Sequence, residues 1–200
     1  MNLKKECRGV IEPFKHCFIE LDFNAAELRT FFALLDIPQP EGDIHNWIGE
    51  EVYGGKFERD QVKQKVFSWL YDPRKKDKKL EKIFQRGKIL EKYYNYNTEH
   101  ITTIFGRNIP CEEHYALNYI IQSTTSDLFL RQAIKVWKML KGRETDVSFT
   151  IHDSMVLDFH LSDQGMVNEL IDEFSNTELG KYKVNISGGK DFGKMKEMNL

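Results

Sequence analysis

The chain has 200 residues, 40% of them apolar and 12% aromatic, which is enough for a globular domain with its own core and a small subdomain and which argues against disorder. A net charge of −2 excludes a uniformly basic, polyanion-binding surface. No run approaches the roughly 18 apolar residues of a membrane span, the start Met-Asn-Leu-Lys-Lys-Glu lacks a signal peptide's apolar stretch, and Cys7, Cys17 and Cys111 have no metal-ligand spacing, so they read as reduced thiols of an intracellular protein.

Residues His16 to Phe23 alternate as a strand, with Cys17, Ile19, Leu21 and Phe23 on one face and Phe18, Glu20 and Asp22 on the other. Asp22 therefore falls at a strand end. Asn24 as N-cap, with Glu27 three places later, reads as a capping box before the helical series Leu28, Phe31, Phe32, Leu35. After punctuation at Pro38 to Gly42 and Gly54-Gly55, a helix is predicted over Glu58 to Tyr71, ended by Pro73, and a broken helical region over Lys79 to Asn95. Cys111 to Leu140 reads as one long helix. Asp146 to Phe159 alternates, breaks at His152-Asp153-Ser154 and resumes, which predicts a hairpin with an acid at its turn. An amphipathic helix near Asp163 to Asn176 and a strand at Lys181 to Ile186 follow. Charge is segregated along this order: Lys56 to Lys92 holds 13 basic and 6 acidic residues, Cys111 to Leu200 holds 10 and 14. A polyanion would meet the middle of the chain, although a Lys-rich run such as Arg74 to Lys82 is equally a solvated helix surface.

Two constellations carry chemistry. Asp22 and Asp153 would each, alone, be read as a turn or cap residue; together, on neighbouring strands, they offer the carboxylate oxygens that hard divalent cations require. Arg59, Lys63, Phe67 and Tyr71 recur at spacings of four along one helix face. Cations followed by aromatics suit a nucleoside triphosphate, because guanidinium and ammonium groups pair with phosphate while rings stack on base and sugar. Spacing alone favours an ordinary amphipathic helix with core aromatics.

These residues carry a family resemblance. Leu21 to Arg29, LDFNAAELR, resembles the first polymerase motif of the DNA polymerase I family, family A. Arg59 to Tyr71 is similar to its second motif, Arg-x3-Lys-x3-Phe-x3-Tyr, and Ile151 to Ser154 resembles the third, apolar-His-Asp-Glu. Asp43-Ile44-His45 with Glu51-Val52-Tyr53-Gly54 resembles the fingers signature; Thr102 to Arg107, Gln122 to Asp127 and the Gly188 to Phe192 ending resemble further blocks, all in order and over nearly the whole chain.

The resemblance implies an α+β fold: a right-hand polymerase palm, its antiparallel sheet backed by helices, with a reduced fingers subdomain and without thumb or exonuclease domains. Residues 1–37 and 96–200 would form the palm and 38–95 the fingers. It implies a template-directed DNA polymerase that adds deoxynucleotides to a primer 3′-hydroxyl with two Mg²⁺ ions, Mn²⁺ being the alternative. Asp22, Asp153 and the carbonyl of Phe23 would bind the metals. Arg59, Lys63 and His45 would hold the triphosphate, with Lys63 also protonating the departing pyrophosphate. Phe67 and Tyr71 would line the nucleotide pocket, and Glu27 with Tyr71 would exclude a ribose 2′-hydroxyl. Asn118, Gln122, His152 and Arg107 would touch the primer-template.

Four residues depart from the pattern: Ser154 stands for the third motif's Glu, Asp72 for a Gly, Ser123 for a Gly and His114 for an Arg. The partners expected are primer-template DNA, deoxynucleoside triphosphates and a second polypeptide supplying thumb and exonuclease functions, as in a split polymerase. The location expected is the cytoplasm, that of a host cell if a phage encodes the chain. The rival class is a catalytically idle polymerase-fold subunit for nucleic-acid binding or assembly.

Overall fold

The computed structural model describes residues 4–198. After a 3-10 turn at Lys5–Val10, the elements run β1 (Cys17–Phe23), α1 (Ala26–Leu34), α2 (Ile44–Glu51), α3 (Arg59–Tyr71), α4 (Lys78–Phe84), α5 (Arg86–Tyr93), β2 (Tyr94–Asn95), β3 (His100–Thr102), β4 (Asn108–Pro110) and α6 (Glu113–Met139). Then come β5 (Asp146–Ile151), β6 (Ser154–Phe159), a 3-10 segment at Leu161–Met166, α7 (Val167–Ser175), β7 (Asn176–Thr177), β8 (Gly180–Lys181), β9 (Val184–Gly189) and β10 (Lys196–Glu197). Among the described residues no helix is long and apolar enough to cross a membrane. The chain divides into two compact units, Met1–Asn24 with Leu128–Leu200, and Ala25–Asp127.

The first unit is built on a five-stranded antiparallel sheet of order β10-β9-β1-β6-β5. β1 is its centre, and the hairpin β5–β6 closes through the two-residue turn His152-Asp153. One face is covered by helices: the Phe23 ring stacks on Phe174 of α7 at 4.4 Å, and Phe129 of α6 and Tyr182 meet it edge-on. The Gln132 amide of α6 donates to the carbonyls of Glu173, Phe174 and Asn176 at 2.7, 3.2 and 2.9 Å, satisfying orphan acceptors at the end of α7. The beginning and end of the described chain also meet. Phe192 N–H donates to Ile11 C=O at 2.9 Å, and Arg8 lies over the Phe192 ring. Gly193 approaches Gly9 so closely that a Cβ would stand 2.7 Å from the Gly9 nitrogen, which only glycine permits.

The second unit is mainly helical, with the small sheet β2-β3-β4. Leu28, Phe31 and Phe32 of α1, Val62, Val66 and Trp69 of α3, and Ile120 of α6 share one core. Arg29 is buried beneath the 39–42 loop and donates to the carbonyls of Pro40 and Gly42 at 3.1 and 2.9 Å. Arg86 lies 4.1 Å over the Trp69 ring and donates to Trp69 C=O, locking the end of α3 to the break between α4 and α5.

Three expectations need correction. The N-cap of α1 is Ala25 rather than Asn24. α1 starts at Ala26 after Ala25 in a left-handed conformation (φ 50°), and the Asn24 amide NH2 donates to Asn185 Oδ1. The helix expected from Asp163 begins only at Val167, because the Asp163 carboxylate is spent on the backbone N–H of Thr145 at 2.8 Å, before β5. The strand expected at Lys181 to Ile186 is divided, since Tyr182 turns its ring into the core between β8 and β9.

Candidate functional site

In the first unit, the sheet register brings the two sequence-predicted acids together. Asp22 pairs with Ser154 on β6 and with Asn185 on β9, so the residue before Ser154, Asp153, sits at the adjoining turn. The Phe23 N–H points to the Asp153 carbonyl at 3.4 Å, which ties the end of β1 to that turn. His152, at the first turn position, has a positive φ of 52° and an exposed side chain, a conformation that a non-glycine residue adopts only under local constraint. The Asn185 amide donates to Asp22 Oδ2 at 3.2 Å.

Electrostatics single out these acids. Burial, the nearby Asp153 charge and, more weakly, Glu20 push the Asp22 carboxyl up to about 7, against the opposing Asn185 hydrogen bond. Burial also raises Asp153, Glu20 adding to the effect and the turn's own backbone N–H and His152 opposing it. Burial and neighbouring negative charge both disfavour the ionised form of a carboxyl. An oxygen-only donor set of this kind fits a hard divalent ion such as Mg²⁺.

The second unit carries the other predicted group. Asp43 caps α2 by accepting from the backbone N–H groups of His45 and Asn46, each at 3.0 Å, and its second oxygen takes the Arg59 guanidinium at 2.8 and 3.1 Å. Burial alone would raise Asp43, but Arg59 and the capping N–H overrule it and hold the carboxyl at about 2. Gln61 accepts from the Glu58 N–H at 3.0 Å and fixes the start of α3. Lys63 is exposed one turn after Arg59. Phe67 stacks on Tyr71 at 5.7 Å with planes 8° apart, and His45 lies 5.8 Å from Phe67. The Phe67 and Tyr71 rings are half-buried and partly presented to solvent, whereas His45 is buried and Val62, Val66 and Leu70 take the buried stripe. The structure thus separates a core face of α3 from a cation-and-aromatic face. Burial first, then the Arg59 and Lys63 charges, depress His45 to about 4 against the pull of Asp43, so its imidazole is neutral at pH 7.

The remaining predicted residues lie elsewhere in this unit. Arg107 pairs with Asp127 of α6. Asn118 and Gln122 stand one turn apart on α6, and the Asn118 Oδ1 is buried without a hydrogen-bond partner. Glu27 is in the first turn of α1. Sequence reasoning missed Glu20 and Asn185 beside Asp22. Glu20 was legible as the residue two before Asp22 on the same strand face; Asn185 was not, because only the β1–β9 register brings it there.

The antiparallel sheet backed by helices is a palm-like fold. Among solved structures, the chain is similar to the "POL domain of Pol1 from M. smegmatis complex with DNA primer-template and dNTP", with a TM-score of 0.80 and 14% identity over 96% of this chain and 43% of that one. The chain therefore spans less than half the length of that neighbour, and at this identity the likeness is one of fold. No protein-family model matches the chain, and no curated protein matches it significantly.

Proposed function

We propose that the chain is the palm-and-fingers catalytic portion of a template-directed DNA polymerase, transferring deoxynucleotides to a primer 3′-hydroxyl. The observation that carries this reading is the pair Asp22 and Asp153, two half-buried carboxyls raised by burial and charge at adjoining strand ends of a palm-like sheet. A fold neighbour solved with primer-template and dNTP supports the substrate class.

In this reading Asp22, Asp153 and the Phe23 carbonyl would hold two Mg²⁺ ions, which when bound would stabilise charge on the entering and leaving oxygens. Arg59 and Lys63 pair with the triphosphate, and Lys63 gives a proton to the pyrophosphate as the bond to the α-phosphate breaks. His45, neutral and buried, serves as a hydrogen-bonding group rather than a cation. Phe67 and Tyr71 provide a stacked platform for base and sugar, and Glu27 with Tyr71 rejects a 2′-hydroxyl. Asn118, Gln122, His152 and Arg107 contact the primer-template.

Extension of a labelled primer on a DNA template by the purified chain, with Mg²⁺ and all four deoxynucleoside triphosphates, tests it. Template-dependent addition that disappears in Asp153→Asn is the expected result. Addition that Asp22→Asn and Asp153→Asn both leave intact would refute the site.

A further inference from the structure

Glu20 precedes Asp22 by two residues on β1 and so projects from the same side of the sheet. Both of its oxygens are held. The Ser187 hydroxyl of β9, directly opposite in the register, donates to Oε2 at 3.0 Å. The Ser154 hydroxyl of β6 lies 2.9 Å from Oε1 and 3.1 Å from the Ile151 carbonyl, so its single proton is shared between them. Serines on the two strands that flank β1 thus fix one carboxylate from either side, and rotation away from Asp22 would leave the nearly inaccessible Ser154 hydroxyl with only Ile151.

Ser154 follows Asp153 directly and is the residue at which the resemblance expects an acid. The side chain that reaches its hydroxyl is an acid from the neighbouring strand. We propose that Glu20 is a positioning residue that supplies the third negative charge of the Asp22–Asp153 site, moved from β6 to β1, and that it strengthens divalent-cation binding through space and through bound water rather than as a direct ligand. This rests on the reading of Asp22 and Asp153 as metal ligands. The competing view is a polar cross-strand ladder that only steadies the sheet.

Mn²⁺ titration of the full chain without DNA, followed by electron paramagnetic resonance, separates them. The parent should bind Mn²⁺, and Asp22→Asn should lose it. Glu20→Gln keeps the size and can still exchange hydrogen bonds with rotatable hydroxyls, yet should weaken binding on the order of tenfold, as loss of an outer partner does, with no fall in melting temperature in chelator. The double exchange Glu20→Ser with Ser154→Glu should recover affinity that Glu20→Ser alone loses. Parental Mn²⁺ affinity in Glu20→Gln overturns the proposal and leaves the metal site standing. A parent that binds no Mn²⁺, or an Asp22→Asn chain that binds equally, overturns the metal site and the proposal with it. Should Glu20→Gln not fold, a folded exchange variant that binds no better than Glu20→Ser also overturns it.

Discussion

With its carboxyl pushed up to about 7, Asp22 is only about half ionised at neutral pH when no cation is near, whereas in the unfolded chain it titrates near 3.8. Between these values the folded state keeps a proton that the unfolded state has released. Folding stability therefore falls as pH rises through that window, and the loss is complete above about 7. Asp153 is raised as well and acts in the same direction. Asp22→Asn removes the penalty, so in chelator the variant should melt higher than its parent at pH 8, with the gap closing toward pH 4. Mg²⁺ should close the same gap at pH 8 by favouring the parent's ionised form. Thermal melts over this range check it, and a gap independent of pH would mean that the folded Asp22 is not raised. On the α3 face, Lys63→Ala should slow nucleotide addition by roughly 100-fold or more, the usual scale for a general acid, whereas Glu27→Ala should leave the rate largely intact and admit ribonucleotides. Single-turnover kinetics with paired deoxy- and ribonucleotides measures both; equal discrimination in Glu27→Ala and parent would remove Glu27 from sugar selection.

Asp43 shows how one side chain organises an element. It caps α2 with two backbone hydrogen bonds and anchors Arg59 at the start of α3. Asp43→Ala should cost about 1–2 kcal/mol for the lost cap, and Arg59→Ala under about 1 kcal/mol, because that pair is partly exposed. Urea unfolding of the two variants gives the comparison; a larger loss in Arg59→Ala would place the stabilising role in the ion pair. Gly193 works through space alone: Gly193→Ala must push its methyl into the Gly9 backbone, an overpacking cost of about 1–3 kcal/mol. The elements with strong periodicity were legible in the sequence: β1, the β5–β6 hairpin, α3 and α6 appear within a few residues of their expected ends. Local chemistry misled at two helix starts. Asn24 had the spacing of an N-cap, but α1 begins one residue later, after Ala25. Asp163 looked like a helix start, but it serves Thr145. The same rule governs the candidate site: Asp22, Asp153, Arg59 and Lys63 are singled out through the family resemblance, since spacing alone favours ordinary structural roles, whereas the serine-held Glu20 emerges only from a register that joins β6, β1 and β9.

Charge segregation belongs to no single element and sets how the whole molecule would meet DNA. The net charge of −2 gives no general attraction for a polyanion, and the excess of cations lies between Lys56 and Lys92. Some of these cations already have partners: Arg59 faces Asp43, Arg74 faces Asp72 and Arg86 faces Glu81. Lys75 and Lys76, before α4, and Lys78, its first residue, are exposed. If they meet phosphate, each contact releases counterions, so the affinity for duplex falls with salt at a slope of about 0.9 per phosphate neutralised. Changing all three to Gln should flatten the plot of log affinity against log salt by up to roughly 2.7 and weaken binding to all sequences alike, since phosphate contacts carry no base information. Asp22→Asn should leave the slope unchanged, because Asp22 touches no phosphate in the absence of cation. Fluorescence anisotropy of a labelled primer-template over a salt series in chelator reads both. A triple variant with the parental slope would show that the basic middle of the chain is a solvated surface, and the duplex would then have to be held elsewhere.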